Sequence, residues 1–284
     1  MNAYLTFIQT LSPLHAGTGQ GVGVIDLPVA REKATNLPFL PGSTLKGSLR
    51  DEIGDDVIRD RIFGPANTES DSAYSGSIIF SDQKLLCLPV RSLLGTFAWI
   101  TSPYILERFK RDCESMGLVN NLTTPSPKTT KDCIVSTECE IKTGNEIILE
   151  DLDLTVQNDA NADEWANWLA GKIFQNENWQ VFFKRRFCIV SDDVMNFLAE
   201  TATEVIARNK LDDEKKATVQ GALWYEESLP SETILSGLLV SMRNNEADVT
   251  TLREISRKAL QFGGSMTVGR GLCRLTISQN GGNN

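Results

Sequence analysis

The chain's one histidine, His15, limits the catalytic chemistry that its 284 residues can support. A Ser-His-Asp or Cys-His nucleophile would have to use His15 itself. The six cysteines are scattered and include no Cys-x-x-Cys pair, so the ligand spacing typical of a zinc site is absent. Dispersed thiols in a chain of this size, with no apparent signal peptide, predict reduced cysteines and a cytoplasmic protein.

Two pairs of carboxylates stand beside features that suit nucleic-acid chemistry. Asp26 and Glu32 follow the glycine-rich stretch 17–23, where a carboxylate is suited to hold a divalent cation or to lie against a phosphodiester. An isolated aspartate is more often a solvated or capping group, so spacing alone supports catalysis weakly. Glu226 and Glu227 are as ambiguous, because the aromatic residues before them either stack on bases or belong to the core.

The stretch 17–23 superficially resembles a nucleotide-binding loop. Such a loop needs a helix whose N-terminus meets the phosphate, but residues 22–29 predict a strand, and no Gly-Lys-Ser/Thr is present. The alternative is a tight turn that lets the backbone approach a partner closely, and that partner could still be RNA.

The segment 41–50 predicts a helix that Ser43 or Thr44 caps. Its first amides and hydroxyls would offer a seat for a phosphate. Lys46 and Arg50 are four residues apart and share one face, whereas the leucines of the segment share another. An ordinary amphipathic surface helix has the same pattern, so this segment alone does not decide between the two interpretations.

A second glycine-rich segment, 263–271, contains four glycines around one arginine. A loop of this kind can follow a nucleic-acid backbone and donate amide N–H groups to it. A plain turn between a helix, predicted at 252–261, and a strand, predicted at 273–277, explains the same glycines equally well.

The net charge of −9 argues against a nucleic-acid partner until its distribution is considered. Nine acidic residues face one lysine within 138–164. The first 50 residues carry four basic and two acidic side chains, and residues 253–274 carry five and one. Both ends are therefore locally basic, and the acidic middle either faces protein partners or keeps the chain soluble.

Strands and helices are intermixed without a βαβ period, which predicts an α+β fold. We expect one domain over 1–284, with an extended hairpin at about 205–230 and a mobile insertion at about 118–135 that is rich in Asn, Thr, Ser and Pro. No apolar run approaches the roughly 20 residues of a membrane helix.

Taken together and in order, these segments resemble the RAMP superfamily of CRISPR effector proteins, and specifically the repeated backbone subunit of the type III-B (Cmr) complex. The Pro-Gly-Ser helix and the C-terminal glycine loop are common to the superfamily. Val-Arg-Ser at 90–92 and Trp-Tyr-Glu-Glu at 224–227 point to this subunit. The similar blocks are 14–19, 25–32, 37–50, 62–65, 88–92, 99–103, 223–230 and 263–271.

The resemblance implies a modified RRM-like (ferredoxin-like) palm with finger insertions and a β-hairpin thumb. Several copies would form a filament along one guide RNA, together with other Cmr-complex subunits, and each thumb would splay the guide–target duplex. Base pairing would then read the sequence, so that a modest basic surface suffices. The residues expected to contact RNA are Ser43, Thr44, Lys46, Arg50, Arg91, Gly264, Thr267, Gly269 and Arg270.

By the same resemblance, Asp26 is the residue that cleaves target RNA, assisted by a divalent cation (Mg or Mn) that it binds. His15 and Glu227 are also catalytic positions, in supporting roles. Ala30-Arg31 departs from relatives that carry consecutive polar or basic residues there, which leaves the details of guide contact open. Two alternatives remain: a filament subunit that binds guide RNA without cutting, and a guide-RNA processing endonuclease that uses His15 as a general base.

Overall fold

The structure is a computed structural model that describes residues 1–17, 19, 24–65, 74–118, 121–211, 218–242 and 245–278. The first glycine-rich stretch lies largely outside these residues, as does the middle of the hairpin expected at about 205–230. The last six residues, 279–284, lie wholly outside them.

The described residues contain strands and helices in mixed order. The strands are β1 Asn2–Thr10, β2 Phe39–Leu40, β3 Ile78–Phe80, β4 Gln83–Arg91, β5 Phe97–Thr101, β6 Asp132–Val135, β7 Glu146–Leu149, β8 Leu152–Asn158, β9 Phe187–Val190, β10 Glu204–Leu211, β11 Thr218–Ser228, β12 Ile234–Ser241, β13 Leu260–Gln261 and β14 Leu272–Ile277. The helices are α1 Gly42–Asp51, α2 Asp56–Phe63, α3 Pro103–Ser115, α4 Ala160–Ile173, α5 Glu177–Lys184, α6 Asp192–Thr201 and α7 Glu246–Ile255.

The palm is the antiparallel sheet of β14, β1, β12 and β4, in that order. Along the chain these strands alternate with helices as β1-α1-β4-β12-α7-β14, which is the βαββαβ order of a ferredoxin-like fold. The central strand β1 is buried along almost its whole length. The predicted α+β fold with a ferredoxin-like palm is confirmed.

A second group of strands extends the palm sheet through β4. The first half of β4 pairs with β12, and its second half pairs with β5. From β5 the sheet continues through β9, β6, β8 and β7. Trp99 of β5 is fully buried there among phenylalanines, and the hydrophobic core runs without a break from this group into the palm. The single-domain boundaries stay a prediction.

The thumb is a two-stranded antiparallel sheet of β10 and β11. The pairing runs from Glu204, opposite Ser228, to Leu211, opposite Thr218. The predicted hairpin is therefore present, with its paired strands within Glu204–Ser228.

The predicted insertion at 118–135 is only partly irregular. Residues 121–131 form neither helix nor strand, but Asp132–Val135 is strand β6. The irregular part is also anchored, because Lys110 Nζ and Trp165 Nε1 donate to the carbonyls of Leu122 and Thr123, at 2.8 and 3.1 Å.

The predicted bounds of the helix at 252–261 are wrong. Helix α7 begins earlier, at Glu246, where the side chain of Asn245 accepts the amide of Ala247, and it ends at Ile255. Leu260 and Gln261 then form β13 beside β14, so sheet pairing prevails over the helical pattern read there.

The six cysteines are free and buried. Burial raises the pKa of Cys113 and Cys273 to about 12, so these thiols stay protonated at neutral pH. Within the described ranges, no helix is long and apolar enough to cross a membrane.

The two faces of α1 predict opposite effects of neighbouring substitutions. Leu45 is buried, so Leu45→Ala should lower the free energy of unfolding by about 2–5 kcal/mol. Lys46→Ala on the other face should change it by less than about 0.5 kcal/mol. Urea titration measures both, and equal losses would contradict this placement of the helix.

Candidate functional site

The base of thumb strand β11 is the element around which the candidate site is built. The segment after Asp26 runs parallel to this strand, with an isolated bridge between Leu27 and Glu226. The Leu27 amide donates to the Tyr225 carbonyl at 3.0 Å, and the Glu227 amide donates to the Leu27 carbonyl at 2.9 Å. The segment that carries Asp26 is thus fastened to the thumb by an isolated parallel bridge.

Asp26 is exposed and is held at this junction through one carboxylate oxygen. Its Oδ2 accepts the backbone N–H of Tyr225 at 2.8 Å. The other oxygen therefore stays available to an incoming ligand. No group of three His, Cys, Asp or Glu side chains that could hold a metal occurs among the described residues.

His15 lies where the two glycine-rich segments meet. Its ring Nδ1 is 2.7 Å from the carbonyl oxygen of Glu227. A carbonyl only accepts, so Nδ1 carries the proton, and in the neutral ring Nε2 is left as an acceptor. A Cβ at Gly17 would come within 2.6 Å of Nε2, so any larger residue at this position would require the ring to shift.

The backbone of His15 also holds the C-terminal glycine loop. Its carbonyl accepts the amide of Gly264 at 2.9 Å. Gly263 has φ of 72°, and a Cβ there would be 2.3 Å from the same carbonyl oxygen. Glycine at 263 is therefore required both by the backbone conformation and by the close approach of the two segments.

Glu227 is buried, with 2% relative exposure, and both of its carboxylate oxygens are engaged. Oε2 accepts the amide of Val29 at 2.9 Å. Oε1 pairs with Arg31 at 2.5 Å and accepts the hydroxyl of Thr203 at 2.9 Å. These contacts favour a positioning role for Glu227, because a catalytic contact with RNA would require it to leave them.

The N-terminus of α1 differs from its predicted form. The helix begins at Gly42, and the Gly42 amide donates to Oδ1 of Asp82 at 2.8 Å, whereas Ser43 and Thr44 do not cap it. A carboxylate therefore already occupies part of the expected phosphate seat. What remains there is the exposed Ser43 and the half-buried Thr44, with their hydroxyls.

The predicted basic contacts fall into two groups. Arg50 turns toward α2, where its guanidinium binds the carboxylate of Asp60 at 2.8 Å and the carbonyl of Gly64. Arg270 pairs with Glu204 of the thumb at 2.9 Å. The side chains of Lys46 and Arg91 make no hydrogen bond or ion pair with any residue that the structure describes.

The C-terminal loop is compact and presents its outer residues to solvent. Met266–Val268 forms a single 3-10 turn between two left-handed residues, Ser265 and Gly269. Gly264, Thr267 and Gly269 are exposed, which a loop that binds a nucleic-acid backbone requires. Arg91 is the last residue of β4. In the described ranges, no hydrogen bond or ion pair connects its side chain with Asp26, His15 or Glu227.

The structure thus brings His15, Asp26, Glu227 and the C-terminal loop together at the thumb base. Four residues of this neighbourhood escaped sequence reasoning: Asp82, Thr203, Glu204 and Ser265. Each acts through a partner distant in sequence, and no local motif marks it.

The chain is similar to known proteins over nearly its whole length. The family model described as the RAMP superfamily matches residues 7–274. The chain is 38% identical to the CRISPR system Cmr endoribonuclease Cmr4 of Pyrococcus furiosus, over 99% of each chain. It is 24% identical to the CRISPR system CMR subunit Cmr4 of Saccharolobus solfataricus, over 95% of this chain and 94% of that protein.

Solved structures of similar proteins share the fold of this chain. The crystal structure of oligomeric Cmr4 from Pyrococcus furiosus superposes with a TM-score of 0.76 at 35% identity, covering 98% of both chains. A chain of the type III-B Cmr-beta complex bound to cognate target RNA gives 0.76 at 18% identity, covering 98% of this chain and 97% of that one, which shows the shared fold. With a family model that spans nearly all of its length, the chain belongs to the RAMP superfamily.

Proposed function

We propose that the chain is the repeated backbone subunit of a type III-B CRISPR RNA-guided complex, and that it cleaves complementary target RNA at regular intervals. The observation that carries this proposal is the exposed carboxylate of Asp26, fixed at the thumb base by the Tyr225 amide. The relative named an endoribonuclease is 38% identical over 99% of each chain, which supports the same activity here.

The partners follow from this role. Guide RNA would lie against α1 and the C-terminal loop, and target RNA would pair with the guide and pass Asp26. Further copies of the chain and other Cmr-complex subunits would complete the ribonucleoprotein in the cytoplasm. A cleavage site that recurs once per copy would give the regular spacing of cuts.

Cleavage needs a target nucleotide held with its 2′-hydroxyl in line with the scissile bond. The 2′ oxygen forms a bond to phosphorus as its proton passes to solvent. The bond from phosphorus to the 5′ oxygen breaks, and that oxygen takes up a proton. The products are a cyclic phosphate and a 5′-hydroxyl. Distortion of the target at the thumb supplies the in-line geometry.

A single carboxylate suits a divalent cation that is shared with RNA. Mg²⁺ is commonly bound by one or two carboxylates together with substrate phosphates and water. Asp26 would hold Mg²⁺ or Mn²⁺ in this way, and the cation would stabilise charge on the phosphate. His15 and Glu227 would keep the Asp26 segment and β11 in register through the contacts already described.

Asp26→Asn tests the catalytic assignment. Asparagine keeps an oxygen that can accept the Tyr225 amide but loses the charge, so we expect RNA binding to persist and cleavage to slow by at least about 100-fold. The assay is cleavage of complementary RNA by the assembled complex with Mg²⁺, with the exposed Asp51→Asn as the matched control.

Equal cutting by wild type and Asp26→Asn would refute the role of Asp26. No cutting by either would instead support a filament subunit that only binds guide RNA. Cutting of precursor guide RNA by the isolated subunit would support the processing endonuclease.

Lys46→Ala tests the guide-binding face. Because this ammonium has no partner in the described structure, its loss should weaken guide binding whatever the RNA sequence and reduce the salt slope by about 1. Arg50→Ala is the comparison, since its guanidinium is engaged by Asp60 and should contribute less to the slope. The measurement is the affinity of each variant for guide RNA at several salt concentrations. An unchanged salt slope for Lys46→Ala would remove this contact from the proposal.

A further inference from the structure

Glu226 is a buried carboxylate at the thumb base to which the proposed function gives no role. It has 5% relative exposure and lies between Tyr225, which holds Asp26, and Glu227. Successive side chains of a strand point to opposite faces. Glu226 therefore faces away from the side of β11 on which Glu227 binds Val29 and Arg31.

On its own face, Glu226 joins the thumb to the C-terminal loop. The Nε of Arg208, on the paired strand β10, lies 3.0 Å from its Oε2. The hydroxyl of Ser265, at the start of the 3-10 turn, donates to its Oε1 at 3.1 Å. The carboxylate is thus shared between the hairpin and the loop.

Ser265 needs such a contact more than most serines do. Its φ of 60° places it in the left-handed region, which residues other than glycine adopt at an energetic cost and keep only where their surroundings hold them there. The hydrogen bond to Glu226 supplies part of that hold. Its partner is a buried side chain on a paired strand.

We propose that Glu226 is a positioning residue that fixes the distance between the C-terminal glycine loop and the carboxylate of Asp26. The connection runs from the Ser265 hydroxyl through Glu226 into the β11 backbone and from the Tyr225 amide to Asp26. This inference rests on the proposed function, in which the loop grips guide RNA and Asp26 acts on the target. Glu226 then sets the offset between a held guide phosphate and the cleaved target phosphodiester.

The first test uses Glu226→Ala, Ser265→Ala and the double variant in the assembled complex. Each single change should slow single-turnover cleavage by about 10- to 100-fold, because displacing the reacting groups by about an ångström is enough to lower the rate by that much. Products should also spread to neighbouring phosphodiesters, with little change in guide affinity. The double variant should resemble the single ones, because both changes break one connection.

Amide hydrogen exchange in the full-length chain gives a second measurement that does not require cleavage. Glu226→Ala should accelerate exchange in residues 264–270, since the loop loses its tie to the strand. The exposed Glu138→Ala is the matched control and should change neither exchange nor cleavage.

The outcomes separate the two proposals. A complex that does not cut, or that cuts equally with Asp26→Asn, refutes the proposed function, and the exchange measurement still judges the connection. Normal rate, normal cleavage positions and unchanged exchange in Glu226→Ala overturn the inference. If Glu226→Ala does not fold, the same readouts on Ser265→Ala decide, and wild-type behaviour there also overturns it.

Discussion

The site depends on the pairing of a short segment around Leu27 with the base of β11. Backbone hydrogen bonds from Leu27 to Tyr225 and from Glu227 to Leu27 hold the segment, and the buried carboxylate of Glu227 closes its far side through Val29 and Arg31. Leaving a buried charge without its partner costs about 3–5 kcal/mol. The position of Asp26 is therefore fixed by the pairing, although Asp26 itself is exposed.

Ion pairs within the protein limit how much of its basic charge this acidic chain can offer to a partner. Arg31, Arg50 and Arg270 are each paired with a carboxylate, so they link elements of the protein. Asp82 binds the N-terminal amide of α1, where an anion is favoured. In the proposed function, what remains for RNA is the side chains of Lys46 and Arg91, the hydroxyls of the first helical turn and the exposed amides of the loop. Such a surface would hold a nucleic-acid backbone without reading bases, which suits a complex that delegates recognition to base pairing.

Sequence patterns placed two palm elements closely because those elements carry local signals. Helix α1 occupies 42–51 against the predicted 41–50, and strand β14 occupies 272–277 against the predicted 273–277. Strand β12 was assigned no element, and α7 was placed six residues late. In α7 the starting signal is one asparagine in a polar stretch.

The roles of the candidate site residues stay predictions, and the contacts between these residues were not predicted. Asp26, His15 and Glu227 were found through resemblance, and the structure brings them together. That Glu227 is buried, that Arg50 turns to α2 and that Asp82 caps α1 follow from contacts between residues far apart in sequence. Patterns within a window of a few residues carry no information about such contacts.

The strand β4 belongs to both groups of the large sheet, with β12 beside its first half and β5 beside its second. A loop between the two groups would act as a hinge. A continuous strand paired on both sides instead restricts rotation of one group relative to the other. In an assembly that repeats this chain along an RNA, an angular error in each copy would accumulate over the whole length. A shared strand keeps that error small, because one continuous backbone sets the angle between the two groups of strands in every copy.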